Sequence, residues 1–168
     1  MRLFLQVFVA ALLAGGCISY GWATEKLIVG WVEKALIRPG HVILDAKVDT
    51  GADNTSLDAR NITTIDRGGK KFVRFEVDNR RGDVITLERE QMGIEVVPRH
   101  DGRDQERPLV TLEICLGLEC RRTVVNLVDR SRFKYPLLVG RSFLLDRAIV
   151  DPLRTYLTQP MSADSSKP

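Results

Sequence analysis

The stretch Lys47–Asp58, KVDTGADNTSLD, constrains the possible folds of this chain more than any other. Just before it, Val42, Leu44, Ala46 and Val48 alternate with Ile43, Asp45 and Lys47, the period of a strand with one buried face. That strand delivers the chain directly into Asp49, Thr50, Gly51 and Ala52. A glycine at that point lets the backbone turn tightly and come close to another molecule. Later in the chain, YPLLVGRSFLLD (Tyr135–Asp146) joins an apolar strand to a glycine and then to a short helical run.

Asp49, Thr50, Gly51 and Ala52 spell DTGA, which resembles the active-site loop of aspartic proteases, and Asp53-Asn54-Thr55 resembles its retropepsin-type continuation. Such enzymes cleave an amide with two carboxylates that share a proton. One activates a water while its protonated partner polarises the scissile carbonyl. Two like charges that close cannot both ionise cheaply, so their proton affinities split. Asp49 is therefore the candidate catalytic group, with Thr50, Gly51 and Ala52 shaping its loop. The order of the two stretches, DTGAD and then LLVGR, adds to the resemblance. It implies that Gly140 permits a close strand crossing behind the loop and that Arg141 pairs with Asp53, near the substrate cleft. No other Asp is followed by Thr or Ser and then Gly, so one chain supplies half a site. The second Asp49 is expected from a second copy, because a two-fold axis brings the same loop from both subunits together.

With 168 residues, 44% of them hydrophobic, the chain has room for one globular domain with a core. The 25 Lys and Arg nearly balance the 22 Asp and Glu and are scattered, so no nucleic-acid partner is indicated. Arg80 with Arg81, and Arg121 with Arg122, are expected to face water. Residues 1–23 carry one early basic residue, an apolar run too short to favour a spanning helix, and a small-x-small site before Thr24. They read as a secretory signal peptide, which predicts a periplasmic or secreted protein with no stable membrane span after cleavage. A lipoprotein anchored at Cys17 is the alternative.

Export permits a disulfide between the remaining cysteines, Cys115 and Cys120. Two β-prone runs meet at Gly117-Leu118, where Gly first suits a type II′ turn. That register pairs Leu116 with Glu119 and sets Cys115 opposite Cys120. Two reduced thiols are the competing expectation. Zinc is disfavoured, because neither His41 nor His100 has ligand spacing to the cysteines.

Strands are also expected within 25–37, from Thr55 toward Ile65, over 71–78 and 83–90, and over 92–99. The 71–90 pair lies in the interval where retropepsins carry a hairpin flap; an ordinary surface hairpin is the other reading. Residues 99–107 read as a solvated loop. Segments near 148–157 read as terminal strands suited to an interchain sheet. Residues 24–158 form the expected domain and 159–168 a disordered tail.

Taken together, VGWVEKALI, AKVDTGA, KKFVRFEVD and LVDRSRFKYPLLVGR resemble a bacterial retropepsin-like family that is also labelled ATP-dependent zinc protease. The resemblance implies an all-β, closed acid-protease barrel with one short C-terminal helix, active as a two-fold dimer. It further implies aspartic endopeptidase activity on a peptide or protein substrate. Family members occur near glutamate ligases, which leaves an unusual amide substrate open. The alternative is a non-catalytic module of the same fold that binds a peptide or envelope partner by strand addition. A metal-dependent hydrolase is a third reading. The sequence has neither HExxH nor GxxxxGK[ST], so no metal and no cofactor are expected.

Overall fold

The structure is a computed structural model and describes residues 25–98 and 102–159. The signal segment with Cys17, His100, and all of the expected tail except Gln159 lie outside the described residues. In chain order the strands are β1 (Leu27–Gly30), β2 (Val32–Arg38), β3 (Val42–Val48), β4 (Thr55–Asp58), β5 (Arg60–Arg67) and β6 (Lys70–Asp78). They continue with β7 (Val84–Glu90), β8 (Gly93–Val97), β9 (Gln105–Leu116), β10 (Glu119–Val128), β11 (Leu137–Val139) and β12 (Ala148–Asp151). One short helix, α1 (Arg141–Leu144), lies between the last two.

The strand order β10-β4-β11-β3-β2-β9 closes on itself through β9–β10 pairing, with β8 added to the outer part of β9. The result is an all-β closed barrel, as the sequence predicts. Val42, Leu44, Ala46 and Val48 point inward and meet Leu57, Leu112, Ile114 and Leu137 in one core. On the loop side, β11 is inserted between β3, which it pairs in parallel, and β4, which it pairs antiparallel. The connection from β3 to β4 must therefore arch across the end of β11.

The expected return strand exists, but its environment differs from its composition. All four residues of β4 are buried, including Thr55, Ser56 and Asp58. Buried polar groups need partners, and these have them. Thr55 Oγ1 accepts from Gly140 N (3.2 Å) and Ser56 Oγ from Arg130 Nη1 (3.3 Å). Asp58 accepts from Arg130 N (2.7 Å) and Arg80 Nη2 (2.8 Å).

Arg80 is exposed at the hairpin tip, as expected, but its guanidinium is engaged rather than free in water. It also donates to the carbonyls of Phe133 (2.7 Å) and Arg130 (2.9 Å). Its hairpin, β6–β7, belongs to a separate three-stranded sheet, β5-β6-β7, and its tip is held against the loop that precedes β11. Arg81 pairs with Asp45 at 3.0 Å but is about half exposed. We expect Arg80→Ala to lower unfolding free energy by about 2 kcal/mol, because the buried Asp58 carboxylate would lose the guanidinium bonded to it and keep only the Arg130 N–H and the more distant Arg130 charge. Arg81→Ala should cost less than about 1 kcal/mol, as exposed pairs do. Urea denaturation of both variants distinguishes the two; equal losses would refute the bracing role.

The disulfide expectation holds. Cys115 and Cys120 are opposite in the β9–β10 register and bonded (S–S 2.04 Å), with Leu116 opposite Glu119. Gly117 has φ +56, which suits the glycine-first turn. At the termini, β12 lies parallel to β1 in a two-stranded sheet within the chain. Residues 154–158 then run back along β2 as a strap rather than a strand. Trp31 N donates to Arg154 O (3.0 Å) and Tyr156 N to Val32 O (2.7 Å). Glu33, fully buried, accepts from Gly30 N (2.6 Å), Leu157 N (2.9 Å), Thr158 N (3.0 Å) and Thr158 Oγ1 (2.8 Å). Four donors satisfy a carboxylate that makes no salt bridge among the described residues.

Candidate active site

Asp49 follows β3 at the mouth of the arch. Its N–H donates to Val139 O on β11 (2.9 Å), and Ala52 N donates to Asp49 O (3.3 Å), closing the turn. The side chain keeps about a quarter of its surface, so the carboxylate faces outward. Gly51 N donates to Oδ1 (3.0 Å) and Lys47 Nζ to Oδ2 (3.3 Å). Burial pushes the carboxyl group up, but the Gly51 N–H, the Lys47 ammonium and the Ala52 N–H together hold it below the usual carboxylate range.

The remaining loop residues are fixed from behind. Gly140 crosses so closely that a Cβ there would lie 2.4 Å from Asn54 O and 3.0 Å from Ala52 O. Arg141 N donates to Ala52 O and Ser142 N to Asp53 O, both at 2.9 Å. The Arg141 guanidinium then spans the loop. Nη1 donates to the carbonyls of Thr50 and Gly51 (2.9 Å each), and Nη2 pairs with the Asp53 carboxylate. Asp49, Thr50, Gly51, Ala52, Asp53, Gly140 and Arg141 are thus one connected unit. Thr50 and Gly51 are exposed.

Two contributors were not singled out from sequence. Lys47 is one, and its signal was present: residues two apart on a strand share a face, so Lys47 and Asp49 project together. Glu95 on β8 is the other. It accepts from Asn54 Nδ2 (2.9 Å) and Asn126 Nδ2 (2.6 Å), tying the loop to β10. Through the Asn54 contact the β8–β9 hairpin adjoins the loop. Nothing local in the sequence marks that contact. Residues 105–107, expected in a loop, belong to β9.

A groove of about 700 Å³ runs between the open end of β8–β9 and residues 129–133. Arg107, Arg130 and Arg132 line it, with one carboxylate, Asp129. Burial and the Arg107 charge push the Arg130 guanidinium below the usual arginine range, while Asp58 and, more weakly, Asp49 oppose this. No cluster of three or more His, Cys, Asp or Glu able to hold a metal occurs among the described residues, and both described cysteines are in the disulfide. No helix among them is long and apolar enough to cross a membrane.

A closed barrel whose Asp-Thr-Gly turn is crossed by an apolar-Gly-Arg strand defines the retropepsin class of fold. The chain matches the family described as "RimB-like: Retropepsin-like aspartic endopeptidase RimB" over residues 28–161, and it belongs to that family. A crystal structure of Lpg0085, a protein of unknown function from Legionella pneumophila subsp. pneumophila str. Philadelphia 1, is 40% identical with a TM-score of 0.71. The match covers 80% of this chain and 100% of that one. Among curated relatives, a probable alpha-L-glutamate ligase of Parasynechococcus marenigrum is 32% identical over 77% of this chain and 28% of its own length. Another protein of that name, from Desulfotalea psychrophila, is 30% identical over 65% of this chain and 24% of its own length. The chain thus spans about a quarter of the curated relatives it matches.

Proposed function

We propose that this protein is an exported aspartic endopeptidase that works as a homodimer, with one Asp49 from each subunit. The observation that carries the reading is the half-site itself: an accessible carboxylate on a loop locked from behind by Gly140 and Arg141, present once per chain. In the dimer one Asp49 carboxylate takes a proton from water as the oxygen attacks the scissile carbonyl. The protonated partner donates to the carbonyl oxygen, and a proton then passes to the departing amide nitrogen. The intact carboxylate argues against a module that only binds, which has no chemical need for it.

Acidic, glutamate-rich peptides are the substrate class we favour. The arginine-lined groove supports this, since guanidinium groups pair well with carboxylates. So does the likeness of this chain to a segment of proteins named as probable glutamate ligases. Cleavage of acidic and neutral peptide libraries across a pH series, with and without chelator, tests the reading. We expect acidic peptides to be preferred about tenfold, the effect of one well-placed ion pair, with no response to chelator. Chelator-sensitive cleavage would overturn the aspartic mechanism, and indifference to peptide charge would overturn the substrate class.

A further inference from the structure

One charged neighbour of Asp49 has no role in that scheme. The Lys47 side chain is nearly half exposed, and among the described residues its ion pair is with Asp49. β3 does not need a lysine there, because the barrel core is filled from the opposite face. The other charges around the loop are engaged elsewhere. Arg141 holds the Thr50 and Gly51 carbonyls and Asp53, and Glu95 holds Asn54 and Asn126. Arg130 is bonded to Ser56 and Tyr135, and Asp45 is held by Lys34 and Arg81. Lys47 is thus the cation in direct contact with the carboxylate.

We propose that Lys47 is a positioning residue for the Asp49 pair, whose ammonium fixes the carboxylate plane and sets the pH range over which the two carboxylates share one proton. This rests on the aspartic reading above. Gly51 N engages Oδ1 and Lys47 engages Oδ2, so both oxygens of each carboxylate have a fixed donor. Across a two-fold axis the repulsion between two Asp49 groups favours retaining the shared proton. An ammonium beside each group opposes that repulsion, so the proton leaves at lower pH. Removing the cation raises both apparent values of the pair and moves the whole bell-shaped activity profile to higher pH. The side chain's exposure places the shift near the low end of what an adjacent opposite charge produces, about one pH unit.

The test is a carbon-13 NMR titration of the Asp49 side-chain carboxyl in the parent protein, Lys47→Gln and Lys47→Arg, with the signal assigned from Asp49→Asn. The pH profile of kcat/KM is recorded on the same proteins. We expect Lys47→Gln to raise the Asp49 titration and both limbs of the profile by about one unit, and Lys47→Arg to restore both. Lys47→Met serves in place of Lys47→Gln should the latter fold poorly. An Asp49 titration unmoved by loss of the Lys47 charge overturns the proposal, as does Lys47→Arg behaving like Lys47→Gln. The titration needs no turnover. A protein that cleaves nothing while its Asp49 titration shifts refutes the endopeptidase reading and leaves the Lys47 coupling standing.

Discussion

Asp49→Asn is expected to purify as a folded dimer that cleaves about 10⁴-fold more slowly than the parent, the upper end of what a positioned acid and base contribute. The size of the loss follows from the sharing of one proton. An amide at both positions can neither take a proton from water nor hold the shared one, so both roles fail together and the losses do not simply add. The fold should survive, because the amide oxygen can still accept from Gly51 N and the backbone bonds of the turn to Val139 and Ala52 do not involve the side chain. Loss of the Lys47 contact removes only an exposed pair. Initial rates on a cleaved peptide, with thermal melts alongside, check both halves. Parental rates in a folded variant would end the aspartic mechanism.

Gly140→Ala carries the second large effect, expected as a loss of about 3 kcal/mol in stability and about 100-fold in cleavage. Gly140 has φ −93 and ψ −176, which any residue can adopt, so the requirement is for space. The methyl group would meet Asn54 O at 2.4 Å, Asn54 C at 2.7 Å and Ala52 O at 3.0 Å, all of them backbone. No rotamer can relieve that overlap. The arch or β11 must move, and with it the bonds from Arg141 N to Ala52 O and from Ser142 N to Asp53 O that hold the Asp49 turn. Gly93→Ala is the control, because its nearest neighbour would be Leu109 Cδ1 at 3.8 Å. Urea unfolding and peptide cleavage at one protein concentration give the comparison. Similar behaviour of the two variants would mean that the crossing does not position the loop.

Much of this was legible in the sequence, for an identifiable reason. Alternation along 42–48 reports one buried face, and a cysteine pair flanking a two-residue turn reports its own register, so β3 and the disulfide could be read from local pattern alone. The Asp53–Arg141 contact joins residues far apart in the chain, and it was accessible only through resemblance to a known loop and its crossing strand. What stayed hidden depends on partners that no local pattern marks. Arg80 looked like a turn-tip arginine in water, yet its guanidinium serves a buried Asp58 on another sheet. The burial of Thr55, Ser56 and Asp58 on β4 could not be read from their types, because each polar group there meets a donor from a distant segment. Glu33 gave no sign that the C-terminal strap would close over it. That the β8–β9 hairpin adjoins the loop was hidden for the same reason, since it follows from the Asn54–Glu95 contact rather than from any local pattern.

The measurement that tests the central claim most directly mixes parent and Asp49→Asn subunits in equal amounts under conditions where dimers exchange, and reads peptide cleavage per total protein. If each site requires an Asp49 from both chains, only the parental dimers turn over, and activity settles at about a quarter of that of the unmixed parent. Activity at about one half would contradict this, since each parental subunit would then act with its own carboxylate alone.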